Sequence, residues 1–348
     1  RPFQKKDQNP VNTLISALIK ADKGTVDRFK RKELEKTQQV LRNLSIATEH
    51  KIGWLKQHPI PNRSHMMPTF LSDGVEIYYQ VAGEGYPLVM AHEFAGDITS
   101  WEPQVNYFSR RYQVITYCHR GYPPSGVPDD PQAYSLEIQV EDLYRLLHHL
   151  GIERAHVGGL SMGGGLTLNF AIAHPEMCRS LVIASAGAGS DSDNRERQVA
   201  SWQSLSESML SEGMEKFADV YARGATRMQF LRKDPVGWAK FHSGLAAHSA
   251  LGSSLTMRGV PMKRNTIYQL EKELQNIRIP TLVMIGDEDV PCVNPAIFMK
   301  RNIPGAGLAV FPQAGHTINL EEPDLYNRTV SDFLTAVEAG KWVVRKGI

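Results

Sequence analysis

Cysteine is scarce in this chain. Its 348 residues hold three, Cys118, Cys178 and Cys292, too few and too scattered for a disulfide scaffold or a cysteine-based zinc site. That usage fits a reducing compartment, so a cytoplasmic location is expected. No apolar run is long enough to span a bilayer, and no integral membrane segment is expected. The chain also has no H-x-x-x-H pair, no G-x-G-x-x-G and no glycine loop ending in Lys-Ser/Thr. Those absences remove a helical zinc pair, a dinucleotide turn and a phosphate loop. Strong net charge is missing too: the formal value is +2.

That near-neutral total conceals an asymmetry. Residues 1–65 carry 14 Lys/Arg against 6 Asp/Glu, while the remainder carries 25 against 31. A body at net −6 is not a nucleic-acid binder by charge. The acids within the opening residues, and the lack of an apolar core there, argue against a signal or transit peptide. Leu34, Thr37, Leu41, Leu44 and Thr48 recur at helical spacing after a shorter stripe at Leu14, Ile15, Leu18 and Ile19. Pro59 and Pro61 break the pattern. Residues 1–65 are therefore expected to be a helical arm and linker, packed on the body or on a second copy in a homodimer.

Beyond the arm, strand patterns alternate with helical ones. Val75–Val81, Pro87–Ala91, Tyr112–Thr116, His156–Gly159, Arg179–Ala184, Pro280–Ile285 and Gly307–Phe311 read as strands. Leu136, Val140, Leu143, Leu147 and Leu150 share a helical face. This rhythm predicts an α/β fold with a mostly parallel sheet flanked by helices. It fails over 190–266, a helical segment with Met209, Met214, Met228, Met257 and Met262 among its apolar positions. The expected organisation is a core over 66–189 and 267–348, interrupted by a helical cap over 190–266. Methionine suits irregular contacts, so these residues could line a pocket or fill the cap's core.

The strongest chemical signal is Gly159-Leu160-Ser161-Met162-Gly163, a G-x-S-x-G directly after the strand His156–Gly159 and opening a helix over Leu166–His174. A tight strand-to-helix turn needs small residues two before and two after the serine, because larger side chains would collide there. Such a turn lifts the serine hydroxyl above the sheet. It also places the Met162 N–H at a helix N-terminus, where negative charge is favoured.

With this motif in place, residues 69–338 resemble the α/β-hydrolase family. The resemblance implies an oxyanion loop at Ala91-His92-Glu93-Phe94-Ala95-Gly96, with Phe94 as second backbone donor beside Met162. Glu93 stands where the family usually has glycine, so it either braces the loop or binds substrate. His92 is expected to buttress the loop. The family's acid-bearing strand end resembles Gly286-Asp287-Glu288-Asp289, which nominates Asp289 over Asp287 and Glu288. The base is read from Gly315-His316, after the last strand. Cys118 replaces the acid of the family's Asp-x-Arg-Gly and reads as a packed thiol.

The resemblance implies a serine hydrolase that needs no cofactor or metal, with Ser161, Asp289 and His316 as its triad. Its expected substrate is a small or medium apolar ester or lactone. Cleavage of a carbon–carbon bond in a β-diketone or vinylogous substrate, using the same triad, is the alternative. A ligand receptor with a vestigial triad is the third reading.

Overall fold

A computed structural model describes residues 68–345. The arm expected over 1–65, and any homodimer contact through it, lie outside the described residues. Eight strands form one sheet: β1 (Thr69–Ser72), β2 (Val75–Ala82), β3 (Tyr86–Ala91), β4 (Tyr112–Tyr117), β5 (Ala155–Leu160), β6 (Cys178–Ala184), β7 (Thr281–Gly286) and β8 (Ala306–Phe311). Their order is β1-β2-β4-β3-β5-β6-β7-β8. The pairs β1–β2 and β2–β4 are antiparallel, and every pair from β4 to β8 is parallel.

Strand β1 has no counterpart in the sequence reading. Four residues with alternate burial are too short to register as a pattern, yet they pair with β2 across the turn Asp73-Gly74. Both turn residues have positive φ, 49° and 78°, the geometry that matches hairpin twist. The central strands β5 and β7 are buried at every position, as expected where helices cover both sheet faces.

One core cluster contains Val89, Ile115, Val157, Ile183 and Val283, with Leu143 and Leu147 of the helix Leu136–His149. Ser135 caps that helix by accepting the Ile138 N–H at 3.2 Å. A second cluster contains Leu88, Val114, Val182 and Met284 with Phe333 and Leu334 of the helix Pro323–Glu338. Successive strand residues point to opposite faces, so these clusters sandwich the sheet.

Five helices occupy the segment expected to be the cap: Ser192–Glu212, Met214–Tyr221, Met228–Lys233, Pro235–Ala246 and Ala250–Gly259. They bury a cluster of their own that includes Trp202, Met209, Met214, Phe217, Trp238 and Phe241, and Phe94 from the loop after β3 joins it. Among the described residues, no helix is long and apolar enough to cross a membrane.

The sheet topology sets the site's position. The chain runs from β3 to β4 on one side, then returns to place β5 on the other side of β3. Loops leaving the ends of β3 and β5 therefore diverge and open a crevice between them. Registered pairing of Ala91 with Gly159 brings residues 92–94 beside Ser161.

Candidate active site

Ser161 closes β5 with φ 56° and ψ −108°, a strained backbone for a residue with a side chain. Its N–H donates to the Ala184 carbonyl at 2.8 Å, and its own carbonyl accepts the Gly165 N–H at 2.9 Å. The following helix begins at Met162, four residues earlier than the sequence pattern suggested. Three consecutive glycines concealed its first turn. Their smallness is steric: a Cβ on Gly159 would strike the Gly163 carbonyl, and one on Gly163 would strike the Ala91 carbonyl.

The three side chains nominated from sequence come together. Ser161 Oγ lies 2.7 Å from His316 Nε2, and His316 Nδ1 lies 2.7 Å from Asp289 Oδ2. A carboxylate only accepts, so His316 carries its proton on Nδ1 and leaves Nε2 to accept the serine hydroxyl proton. Asp289 and His316 are buried. The competing acids face elsewhere. Asp287 accepts the Ala314 N–H at 3.1 Å, and Glu288 accepts from Gln229 at the surface, at 2.8 Å for each oxygen.

The loop after β3 is braced from several sides. His92 Nδ1 donates to the Glu93 carbonyl at 2.7 Å, while its Nε2 accepts the His119 N–H at 3.1 Å. Burial pushes the His92 imidazole down to about 4 and that of His119 well below its ordinary value. His92 therefore buttresses the loop as a neutral ring. The Tyr122 hydroxyl donates to the Phe94 carbonyl at 2.9 Å.

Glu93 is not a wall of the cavity above Ser161. It pairs with Arg227, whose Nη1 and Nη2 lie 3.0 and 2.5 Å from its two oxygens, and both side chains are buried. Burial opposes ionisation, but the Arg227 charge and hydrogen bonds outweigh it and hold the carboxyl below its usual range. Of the two expectations for Glu93, this pairing supports bracing of the loop over a substrate contact. Its carboxylate is spent on a cation of the cap, though Oε2 still lies 4.0 Å from His316 Nε2.

Sequence reasoning missed Arg227, Thr226, Glu321 and Cys292. The Thr226 carbonyl accepts the His316 N–H at 2.9 Å. The Glu321 carboxylate accepts the Gly315 N–H at 2.9 Å and pairs with Lys233 at 3.3 Å. Cys292 stands beside Asp289, and burial followed by that carboxylate's charge pushes its thiol well above the ordinary value. Donor atoms of Asp289, Cys292 and His316 lie within 4.8 Å of one another. A metal needs a thiolate there and would take His316 or Asp289 from the hydrogen-bonded chain, so these three residues suit proton transfer better than ligation. A sequence signal for Cys292 existed in its place three residues after Asp289, at a helix start. Cys118 is buried with its thiol pushed up to about 12 by burial, as expected of a packed residue.

Ser161 and His316 open into a cavity of about 290 Å³ whose apolar walls include Phe94, Met162, Trp202 and Met257. Of the cap methionines, Met209 and Met214 fill the cap's core, and Met257 faces the cavity.

Comparison with known proteins agrees with this fold. The family described as alpha/beta hydrolase fold matches residues 86–323. The 3-oxoadipate enol-lactonase 2 of Acinetobacter baylyi is 27% identical over 269 residues, covering 76% of this chain and 96% of that protein. The crystal structure of an enol-lactonase from Burkholderia xenovorans LB400 superposes with a TM-score of 0.67 at 25% identity, covering 77% of this chain and 100% of the other. A thermophilic esterase from Thermogutta terrifontis gives a TM-score of 0.69 at 25% identity, covering 78% and 97%.

Proposed function

We propose that this chain, which belongs to the α/β-hydrolase family, is a serine hydrolase that cleaves a small or medium, largely apolar ester or lactone through an acyl-enzyme. The hydrolase class is the coarser statement, carried by the family and its enol-lactonase and esterase neighbours. The observation that supports the finer one is the unbroken chain from Ser161 Oγ through His316 to Asp289, with 2.7 Å at each link.

In this reading Ser161 Oγ attacks the substrate carbonyl while its proton passes to His316 Nε2. Asp289 holds the imidazole in the required tautomer and stabilises the imidazolium. The N–H groups of Phe94 and Met162 are assigned to the tetrahedral oxyanion. His316 then protonates the leaving alkoxide, a water enters, and the same histidine takes the water's proton as it attacks the acyl-enzyme. Collapse returns the proton to Ser161 and releases the acid. Every step uses side chains and backbone amides of the protein together with water.

Carbon–carbon cleavage by the same triad is the alternative reading, and the pairing of Glu93 with Arg227 leaves it without a free carboxylate at that position to hold a polar substrate group. Labelling with a fluorophosphonate, then turnover of p-nitrophenyl acetate and a panel of lactones, tests the proposal. Covalent labelling lost in Ser161→Ala, with matching loss of turnover, supports it. Ligand binding without label or turnover would favour a receptor.

A further inference from the structure

The cavity holds a second charged group that the hydrolytic steps do not use. Arg264 lies beyond the helix Ala250–Gly259 and lines the same cavity as Ser161 and His316. Its guanidinium donates to the Ala188 carbonyl at 2.6 Å and to the Asn265 carbonyl at 3.4 Å. A guanidinium has five N–H donors, so most of its capacity is uncommitted. It takes part in no ion pair among the described residues.

The other cations nearby are more fully engaged. Arg227 is neutralised by Glu93. Arg195 donates to the carbonyls of Gly189, Pro261, Met262 and Arg264 and stacks over Trp202 at 5.6 Å. It thereby fixes the turn that carries Arg264. Burial, followed by the like charge of Arg195, lowers the Arg264 guanidinium to about 10, which leaves it charged at neutral pH. Arg264 is half-buried, and a partly desolvated cation without a counter-charge is stabilised by a bound anion.

We propose that Arg264 is the receptor for a carboxylate on the substrate, so that the preferred esters or lactones carry a free acid group remote from the scissile bond. The planar fork of an arginine suits a carboxylate bidentately. Gln198, which also lines the cavity, offers a neutral donor to the same ligand. This assignment rests on the serine-hydrolase reading for its catalytic end but not for its anion site.

The test compares p-nitrophenyl esters whose acyl chains end either in a carboxylate or in the isosteric primary amide, over a series of lengths. A charge-assisted hydrogen bond predicts about a 10- to 100-fold preference in kcat/KM for the acid at the best length. In Arg264→Met that ratio collapses toward one, and Arg264→Lys keeps part of it. Equal kcat/KM for both esters at every length overturns the proposal, and so does a preference that survives Arg264→Met. Should the variants fail to fold, the wild-type ratio and its decline with added salt decide the matter. Glutarate binding, followed by thermal shift, is independent of chemistry. If the protein takes no fluorophosphonate label, the hydrolase reading fails. A glutarate shift that Arg264→Met abolishes would then still support the anion site, and its absence from the wild type would overturn it.

Discussion

Arg227 closes on Glu93 through two hydrogen bonds, of 3.0 and 2.5 Å, where both side chains are almost wholly buried. The preceding residue, Thr226, holds the His316 amide at 2.9 Å. One dipeptide of the helical segment thus fastens both the loop after β3 and the histidine loop. Removing one partner of a buried ion pair leaves the other uncompensated, at about 3–5 kcal/mol. Arg227→Met is therefore expected to lower the melting temperature by about 5–9 degrees. The double variant Glu93→Leu/Arg227→Met is expected to lose less than the sum of the two single changes. There is also a chemical signature. Glu93 Oε2 lies 4.0 Å from His316 Nε2, so an unneutralised Glu93 would favour the imidazolium. The acid limb of the kcat/KM profile should move to higher pH in Arg227→Met, which a merely structural contact would not produce.

The triad geometry separates two neighbouring acids. Ser161→Ala should lower kcat by several orders of magnitude while leaving the melting temperature near the wild-type value. Asp289→Asn should cost about 10⁴-fold, because an amide beside Nδ1 favours the wrong tautomer. Asp287→Asn keeps an oxygen for the Ala314 N–H and should stay within about threefold of wild type, the range of a conservative surface change. A larger loss in Asp287→Asn than in Asp289→Asn would mean that the wrong acid has been assigned.

Acid should weaken this fold before its ordinary carboxylates are protonated. His92 is held at about 4 against an ordinary 6.5, so between those values the unfolded chain binds a proton that the native one does not. Stability therefore falls as pH drops through 6.5, and this group's share is fully lost by about pH 4. A shift of that size corresponds to roughly 3 kcal/mol. His119, pushed the same way by burial, adds to it. Glu93 acts in the same direction at lower pH, since its lowered value contributes stability that is full above the ordinary carboxylate range and is lost progressively below it. Melting temperatures recorded between about pH 8 and pH 4 should show a steep decline that His92→Gln flattens. An undiminished slope in that variant would remove His92 from the explanation.

What the sequence made legible and what it concealed follow from distance along the chain. Ser161, Asp289 and His316 could each be read locally, because each stands just past a strand end within a short recognisable pattern. The strands themselves were legible from short apolar runs, except β1, whose four residues alternate too briefly to register. The role of Glu93 was not legible. Its partner lies 134 residues away in a helical segment that has no fixed register with the sheet. Arg264 was hidden for the same reason: exposure, counter-charge and cavity are all tertiary facts, and in sequence it is one of many basic residues. The start of the helix at Met162 was obscured by glycines, whose low helix propensity outweighed in the pattern a steric need visible only in three dimensions.

That steric need separates glycines within a single run. A Cβ on Gly163 would strike the Ala91 carbonyl and stand 2.8 Å from the His92 carbonyl. Both are backbone atoms of the β3 end, so relief requires moving the strand or the loop that carries Glu93 and Phe94. A Cβ on Gly165, two residues further along the same helix, would meet nothing within 4 Å. Alanine there should gain up to about 1 kcal/mol of helix propensity with no steric penalty. Gly165→Ala is therefore expected to melt at or slightly above the wild-type temperature and to label normally with fluorophosphonate. Gly163→Ala should melt several degrees lower and label far more slowly, because pushing back the β3 end spreads the Phe94 and Met162 amides apart. Comparable labelling rates in the two variants would mean that the β3 end yields without disturbing the site, and the close approach of Gly163 to Ala91 would then have no catalytic consequence.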